Sequence, residues 1–109
     1  MSAEGDSPSF SVDSLTHRAL GPLLRLTAPG LDLRLTPQEA RTLALALRAV
    51  AEGRSAEREI FMSPIASNGY FVGRVEASGL AVETSDGLLT LDWPVTMRLA
   101  EALASAAGD

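Results

Sequence analysis

The sequence predicts an α+β fold, an antiparallel sheet with two helices on one face. Three observations predict it. The dipeptides Asn68-Gly69, Ser78-Gly79 and Asp86-Gly87 cut residues 58–92 into four segments of alternating hydrophobicity. Thr36-Pro37-Gln38-Glu39 and Asp92-Trp93-Pro94 are helix-start signals, each followed by apolar residues at helical spacing. The two halves also align at an offset of 56, with Leu33, Leu35, Leu43, Ala44, Ala46 and Leu47 matching Leu89, Leu91, Leu99, Ala100, Ala102 and Leu103. That alignment suits a duplicated hairpin–helix or meander–helix unit, or two independent units of leucine- and alanine-rich sequence.

The elements follow in order. Residues 1–8 are expected to be a disordered tail. Met1 to Ser9 are small, acidic and polar, unlike a signal peptide, which suggests a cytoplasmic chain. One α+β domain then spans 9–107, with strands and a helix over 9–53 and a four-stranded meander and a helix over 57–107. A weak first strand is expected near Phe10–Leu15, because serine and aspartate interrupt it. Leu24, Leu26, Leu31, Leu33 and Leu35 alternate with Arg25, Thr27, Asp32 and Arg34 about an Ala28-Pro29-Gly30 turn. The result is a hairpin with one leucine face. Thr36 caps a helix that runs to about Ala51, with Gly53 at its end and Ala40, Leu43, Ala44, Leu47 and Val50 toward the core.

In the meander, two-residue turns at the three glycine dipeptides pair Ser67 with Tyr70, Ala77 with Leu80 and Ser85 with Leu88. Arg74 then lies opposite Glu83, as a cross-strand ion pair. One face collects Ile60, Met62, Pro64, Ala66, Phe71, Val75, Ala77, Leu80, Val82, Thr84, Leu89 and Leu91. The other carries Phe61, Ile65, Tyr70, Val72 and Leu88 among charged and polar residues. Pro64 places its strand at an edge or a bulge. The last helix runs from about Trp93 to Ala106, capped by Asp92, with Val95, Leu99, Ala102, Leu103 and Ala106 as its stripe. Trp93 is expected to anchor the seam between sheet and helix.

Composition limits the function. A chain of 109 residues, 46% hydrophobic and 21% charged, suits one soluble domain. No apolar run reaches the roughly 18–20 residues of a membrane-spanning helix. With no cysteine, disulfides, thiolate metal sites and thiol nucleophiles are excluded. All nine cations are arginine, which fits a GC-rich coding bias. The net charge is −5, yet residues 34–58 carry five arginines and three acids, a locally basic strip that also suits a solvated helix face.

No catalytic constellation is visible. His17 is the one histidine, too little for a triad or a multi-histidine metal site. Gly69 and Gly73 lie across a strand rather than in a strand-to-helix phosphate loop. Glu76 and Glu83 share a face with Arg74, which neutralises them as a general-acid pair. The reading is non-enzymatic, with no cofactor and no metal.

The informative feature is the outer sheet face. Helices joined to one sheet usually cover one side of it, so an apolar-aromatic patch on the other needs a cover. That cover is a partner surface, or the first hairpin folded across the patch, or the sheet itself curled into a half-barrel. The leading expectation is a protein-interaction or homo-oligomerisation module, a dimer or a binder of another protein. It would use Phe61, Ile65, Tyr70, Val72, Arg74 and Leu88, or an exposed strand edge. The alternative is a single-stranded DNA- or RNA-binding domain. Four strands and a helix, with a partial copy before them, resemble the element order of PUR-repeat and Whirly-type domains. The stretch Asn68-Gly69-Tyr70-Phe71-Val72-Gly73-Arg74-Val75 is loosely similar to a PUR-repeat strand. The resemblance covers 58–106 and, in part, 20–52, and it lies in element order rather than in a specific motif. It implies stacking and phosphate contacts from Arg25, Arg34, Phe61, Tyr70 and Arg74. The acidic neighbours Asp32, Glu76 and Glu83 work against counterion release on that face.

Overall fold

A computed structural model describes residues 10–108. The tail expected over 1–8 lies outside them. The fold is α+β, and the described residues form seven strands in two antiparallel sheets. Strands β1 (Ser11–His17), β2 (Gly21–Ala28) and β3 (Leu31–Leu35) form the first sheet, in that order, and lead into α1 (Pro37–Ala51). Strands β4 (Glu59–Met62), β5 (Phe71–Val75), β6 (Gly79–Thr84) and β7 (Gly87–Asp92) form the second, again in chain order, and lead into α2 (Trp93–Ala106).

The first sheet follows from the leucine alternation. Leu24 pairs with Leu35 and Leu26 with Leu33, which sends all four inward and leaves Arg25 opposite Arg34 outside. Gly30 closes the turn at φ 72°, a left-handed conformation that only glycine adopts without strain. The helix starts are local chemistry. Thr36 Oγ1 accepts from the Glu39 N–H at 3.1 Å while Glu39 Oε1 accepts from the Thr36 N–H at 2.9 Å, a complete capping box. Asp92 accepts from the Val95 N–H at 2.9 Å.

One core serves both sheets. It joins Leu24, Leu26, Leu33 and Leu35 to Leu43 and Leu47 of α1, to Leu99 and Leu103 of α2, and to Phe71, Leu80, Val82 and Leu91 of the second sheet. Full burial of one such side chain contributes about 1.5–3 kcal/mol. The helices pack on each other, and each crosses to the other sheet: α1 touches β4, and α2 touches β1. The buried stripe of α2 is rotated from its expected position. Thr96 and Ala100 are buried, while Ala102 and Ala106 are half-buried. Thr96 is tolerated there because its hydroxyl lies 2.8 Å from the Asp92 carbonyl and 3.2 Å from the Leu91 carbonyl. Trp93 is half-buried rather than a full core anchor, and its indole N–H donates to the Ala77 carbonyl at 3.2 Å.

The second sheet keeps the expected faces but not the expected partners. Thr84 pairs with Gly87, Val75 with Leu80 and Met62 with Phe71. Measured against turns at the three glycine dipeptides, these registers are displaced by two, two and four residues. Because side chains alternate with period two, an even displacement changes every partner and no face. The expected Arg74–Glu83 ion pair is lost in this way, and Arg74 stands opposite Ala81 and Glu59. The reason lies in the turns. Glu76 N–H bonds the Gly79 carbonyl at 2.9 Å, so Ala77 and Ser78 form that turn. Gly79 serves a close approach instead, since a Cβ there would run into the Leu91 carbonyl. Strand β4 ends at Met62, ahead of Pro64, which leaves Ile65 in a loop.

The offset of 56 reappears as geometry. Strands β3 and β7 begin at 31 and 87, the caps are 36 and 92, and the helices begin at 37 and 93. The pair Ala28–Leu31 maps in register onto Thr84–Gly87. The two corresponding turns also touch, as the Gly30 carbonyl accepts from the Ser85 N–H at 2.9 Å and from its hydroxyl at 3.1 Å.

Candidate interaction surface

Strands β4–β7 turn their inner side chains to the helices, which leaves one outer face. Its side chains form a grid. One row reads Glu59, Arg74, Ala81 and Thr90 across the four strands. The next reads Phe61, Val72, Glu83 and Leu88, where the step from Val72 to Glu83 continues the β5–β6 register by one residue. Tyr70 lies just ahead of β5, on the same side as Val72 by alternation and diagonal to Phe61.

No described element covers this face. Phe61, Tyr70 and Leu88 are 61%, 53% and 69% exposed, and Ile65 is 74% exposed in the neighbouring loop. The first hairpin does not fold across it. Phe61 and Tyr70 touch through their rings, with centroids 5.7 Å apart and planes tilted by 37°. A diagonal cross-strand pair lies within reach of aromatic side chains, so the register itself brings the rings together. Val72 is 8% exposed, because the larger side chains around it take the surface. It forms a floor rather than an anchor. Arg74 and Glu83 are exposed, and among the described residues neither makes an ion pair or a side-chain hydrogen bond.

Ile65, in the loop after β4, is held from α1. Its backbone N–H donates to Glu39 Oε2 at 3.0 Å. One carboxylate therefore closes the capping box of α1 with one oxygen and holds the β4–β5 loop with the other. The sequence reading missed this double use, and the spacing of 26 residues offers no local signal for it.

The outer face of the first sheet carries the remaining arginines of the nucleic-acid alternative. Arg25 is bound by Asp32 through two hydrogen bonds, Nε at 3.0 Å and Nη2 at 2.7 Å. The Arg25 hydrogen bond holds the Asp32 carboxyl below its ordinary pKa, and the same bond raises that of Arg25. A shallow cleft of about 330 Å³ joins the two faces, lined by Gly30, Asp32, Tyr70, Glu83 and Ser85 among others. Its charged rim is acidic beside Tyr70.

A second surface was not singled out from the sequence. A groove of about 400 Å³ runs between the helices, lined by Arg41, Leu45 and Arg48 of α1 and Glu101 of α2. Leu45 is 70% exposed there. The i, i+4, i+7 spacing of Arg41, Leu45 and Arg48 was the signal that could have found it. Arg41 is engaged, donating to the Ala107 carbonyl at 2.9 Å.

His17 acts within its own turn, where Nδ1 accepts from the backbone N–H groups of Ala19 and Leu20 at 3.0 and 3.1 Å. Among the described residues no three His, Cys, Asp or Glu side chains gather as a metal site, and no helix is long and apolar enough to cross a membrane. Comparison of the chain with protein-family models, with curated proteins and with solved structures gave no match.

Proposed function

We propose that this chain is a cytoplasmic, non-enzymatic protein-interaction and self-association module, whose working surface is the outer face of β4–β7. One observation carries the reading. Three large apolar side chains, Phe61, Tyr70 and Leu88, are each more than half exposed on the outer side of this sheet. Isolated exposed apolar residues are ordinary, but a shared patch with an aromatic pair at its centre is the usual anatomy of a protein interface. Arg74 beside that pair supplies a charged anchor.

Single-stranded nucleic acid is the weaker occupant. Of the arginines it would use, Arg25 is neutralised by Asp32. The cleft beside Tyr70 bears Asp32 and Glu83, and the chain as a whole is acidic. The in-register match of the two hairpin–helix units supports a duplicated architecture without choosing between these partners.

The test is light scattering on the full chain over a concentration series, with Phe61→Ser/Tyr70→Ser alongside. The wild type is expected to exceed the mass of one chain reversibly, and the folded double variant to return to it. A double variant that associates as the wild type does would remove this face from the function.

A further inference from the structure

We infer that the occupant of the β4–β7 face is a second copy of this chain, related to the first by a two-fold axis lying diagonally over Val72 and Ala81. The inference rests on the reading of this face as the working surface, and it names the partner.

The grid makes the argument. Neighbouring strands are about 4.8 Å apart, and same-face neighbours along a strand about 6.8 Å. Val72, Arg74, Ala81 and Glu83 occupy the four corners of one cell, with the charged pair on one diagonal and the apolar pair on the other. An axis in the interface along the Val72–Ala81 diagonal exchanges the charged corners. Because the two spacings differ, Arg74 of each copy lands about 3 Å from a position directly over Glu83 of the other, within reach of its long side chain, and the contact occurs twice. The same axis exchanges Phe61 with Tyr70, because one lies a strand away from Val72 and the other a step ahead of it along the chain. The aromatic pair of one copy thus meets the aromatic pair of the other. Val72 and Ala81 sit on the axis, where the copies approach most closely, and at 8% and 6% exposure neither projects.

Other axes fail on charge. An axis along the strands sets Arg74 over Ala81 and Glu83 over Val72. An axis across them sets Arg74 over Val72 and Glu83 over Ala81. Each buries two charges against apolar surface with no partner, which is unfavourable. The diagonal axis pairs Arg74 with Glu83 in both directions, and neither of these two has an ion pair within the described chain. It makes roughly 35° with the strands, so the two sheets cross at roughly 70°, nearer the orthogonal class of sheet packing than the aligned one. The contact is isologous and closes as a dimer.

Charge reversal tests it. Arg74→Glu and Glu83→Arg are made separately in the full chain, checked for fold by circular dichroism, and followed by sedimentation velocity. Each alone is expected to self-associate at least tenfold more weakly than the wild type. Mixed in equal amounts they are expected to dimerise again, because the doubly acidic face of one meets the doubly basic face of the other. Weakened singles that stay apart on mixing overturn the diagonal exchange. Singles that dimerise like the wild type, while Phe61→Ser/Tyr70→Ser is monomeric, overturn this arrangement and leave the working face intact. A wild-type chain that is monomeric at every concentration excludes a second copy as the occupant.

Discussion

The hydroxyl of Ser67 satisfies both outward backbone groups of Arg34: it accepts from the N–H at 2.6 Å and donates to the carbonyl at 2.8 Å. One side chain from the β4–β5 loop thereby stands in for a neighbouring strand at the edge of β3. At the other end of that edge Ser85 occupies the Gly30 carbonyl. An unpaired edge is a template for strand addition, so association through β3 is blocked by two serines from the other sheet. Ser67→Ala is expected to cost about 0.5–1.5 kcal/mol in chemical denaturation, because water can reach the freed groups. The Arg34 amide should exchange faster with solvent in the variant, and an unchanged rate would show that the edge is held by something else.

The contact between the two hairpin tips makes Gly30 more demanding than its turn alone. A Cβ at Gly30 would lie 2.7 Å from Thr84 Oγ1 and 3.0 Å from the Asp86 backbone nitrogen, whereas one at Gly21 meets nothing within 4 Å. Both residues have left-handed φ, 72° and 79°. Gly21→Ala is therefore expected to show the conformational cost alone, roughly 1–2 kcal/mol. Gly30→Ala should exceed it by at least about 1 kcal/mol, since the clash involves backbone as well as side chain. Equal losses in thermal or chemical unfolding would mean that the tips do not touch.

Asp32 gives a small acid-sensitive contribution. Its carboxyl is held below the ordinary value, first by the hydrogen bond from Arg25 and also by the charge of that arginine. A depressed carboxylate adds stability above its unfolded pKa of about 4 and loses it as pH falls through the folded value. The wild type should therefore exceed Asp32→Asn slightly at neutral pH, with the difference closing below about pH 4. The pair is surface-exposed, so added salt should shrink the gap. A gap that widens on acidification would contradict the assignment.

The helices were legible because their signals are local. Thr36 with Glu39, and Asp92 with Pro94, are each read within a single turn, and the observed starts at Pro37 and Trp93 follow from them. The faces of the second sheet were legible too, since alternation fixes parity. Its register was not. Phe71, Leu80 and Leu89 look the same to a pattern of period two whether a strand slides by none, two or four residues. The turn glycines misled for a physical reason: Gly69 and Gly79 do not have positive φ, so neither is there for a primed turn. The division into two sheets was hidden because the contacts that join them, Ser67–Arg34 and Ser85–Gly30, link residues far apart in sequence. For the candidate surface, Phe61, Tyr70 and Leu88 were placed by parity alone. The arrangement of Arg74 and Glu83 on a diagonal needed the true partners.

The last helix, α2, packs on the first strand, β1, and α1 reaches forward to β4. During synthesis the leucine face of the first sheet emerges together with one helix and must wait for the other. The core stays open on that side until the final fourteen residues of α2 have left the ribosome. Removing α2 would uncover β1, the first of the seven strands to be made, as well as β6 and β7, the last two.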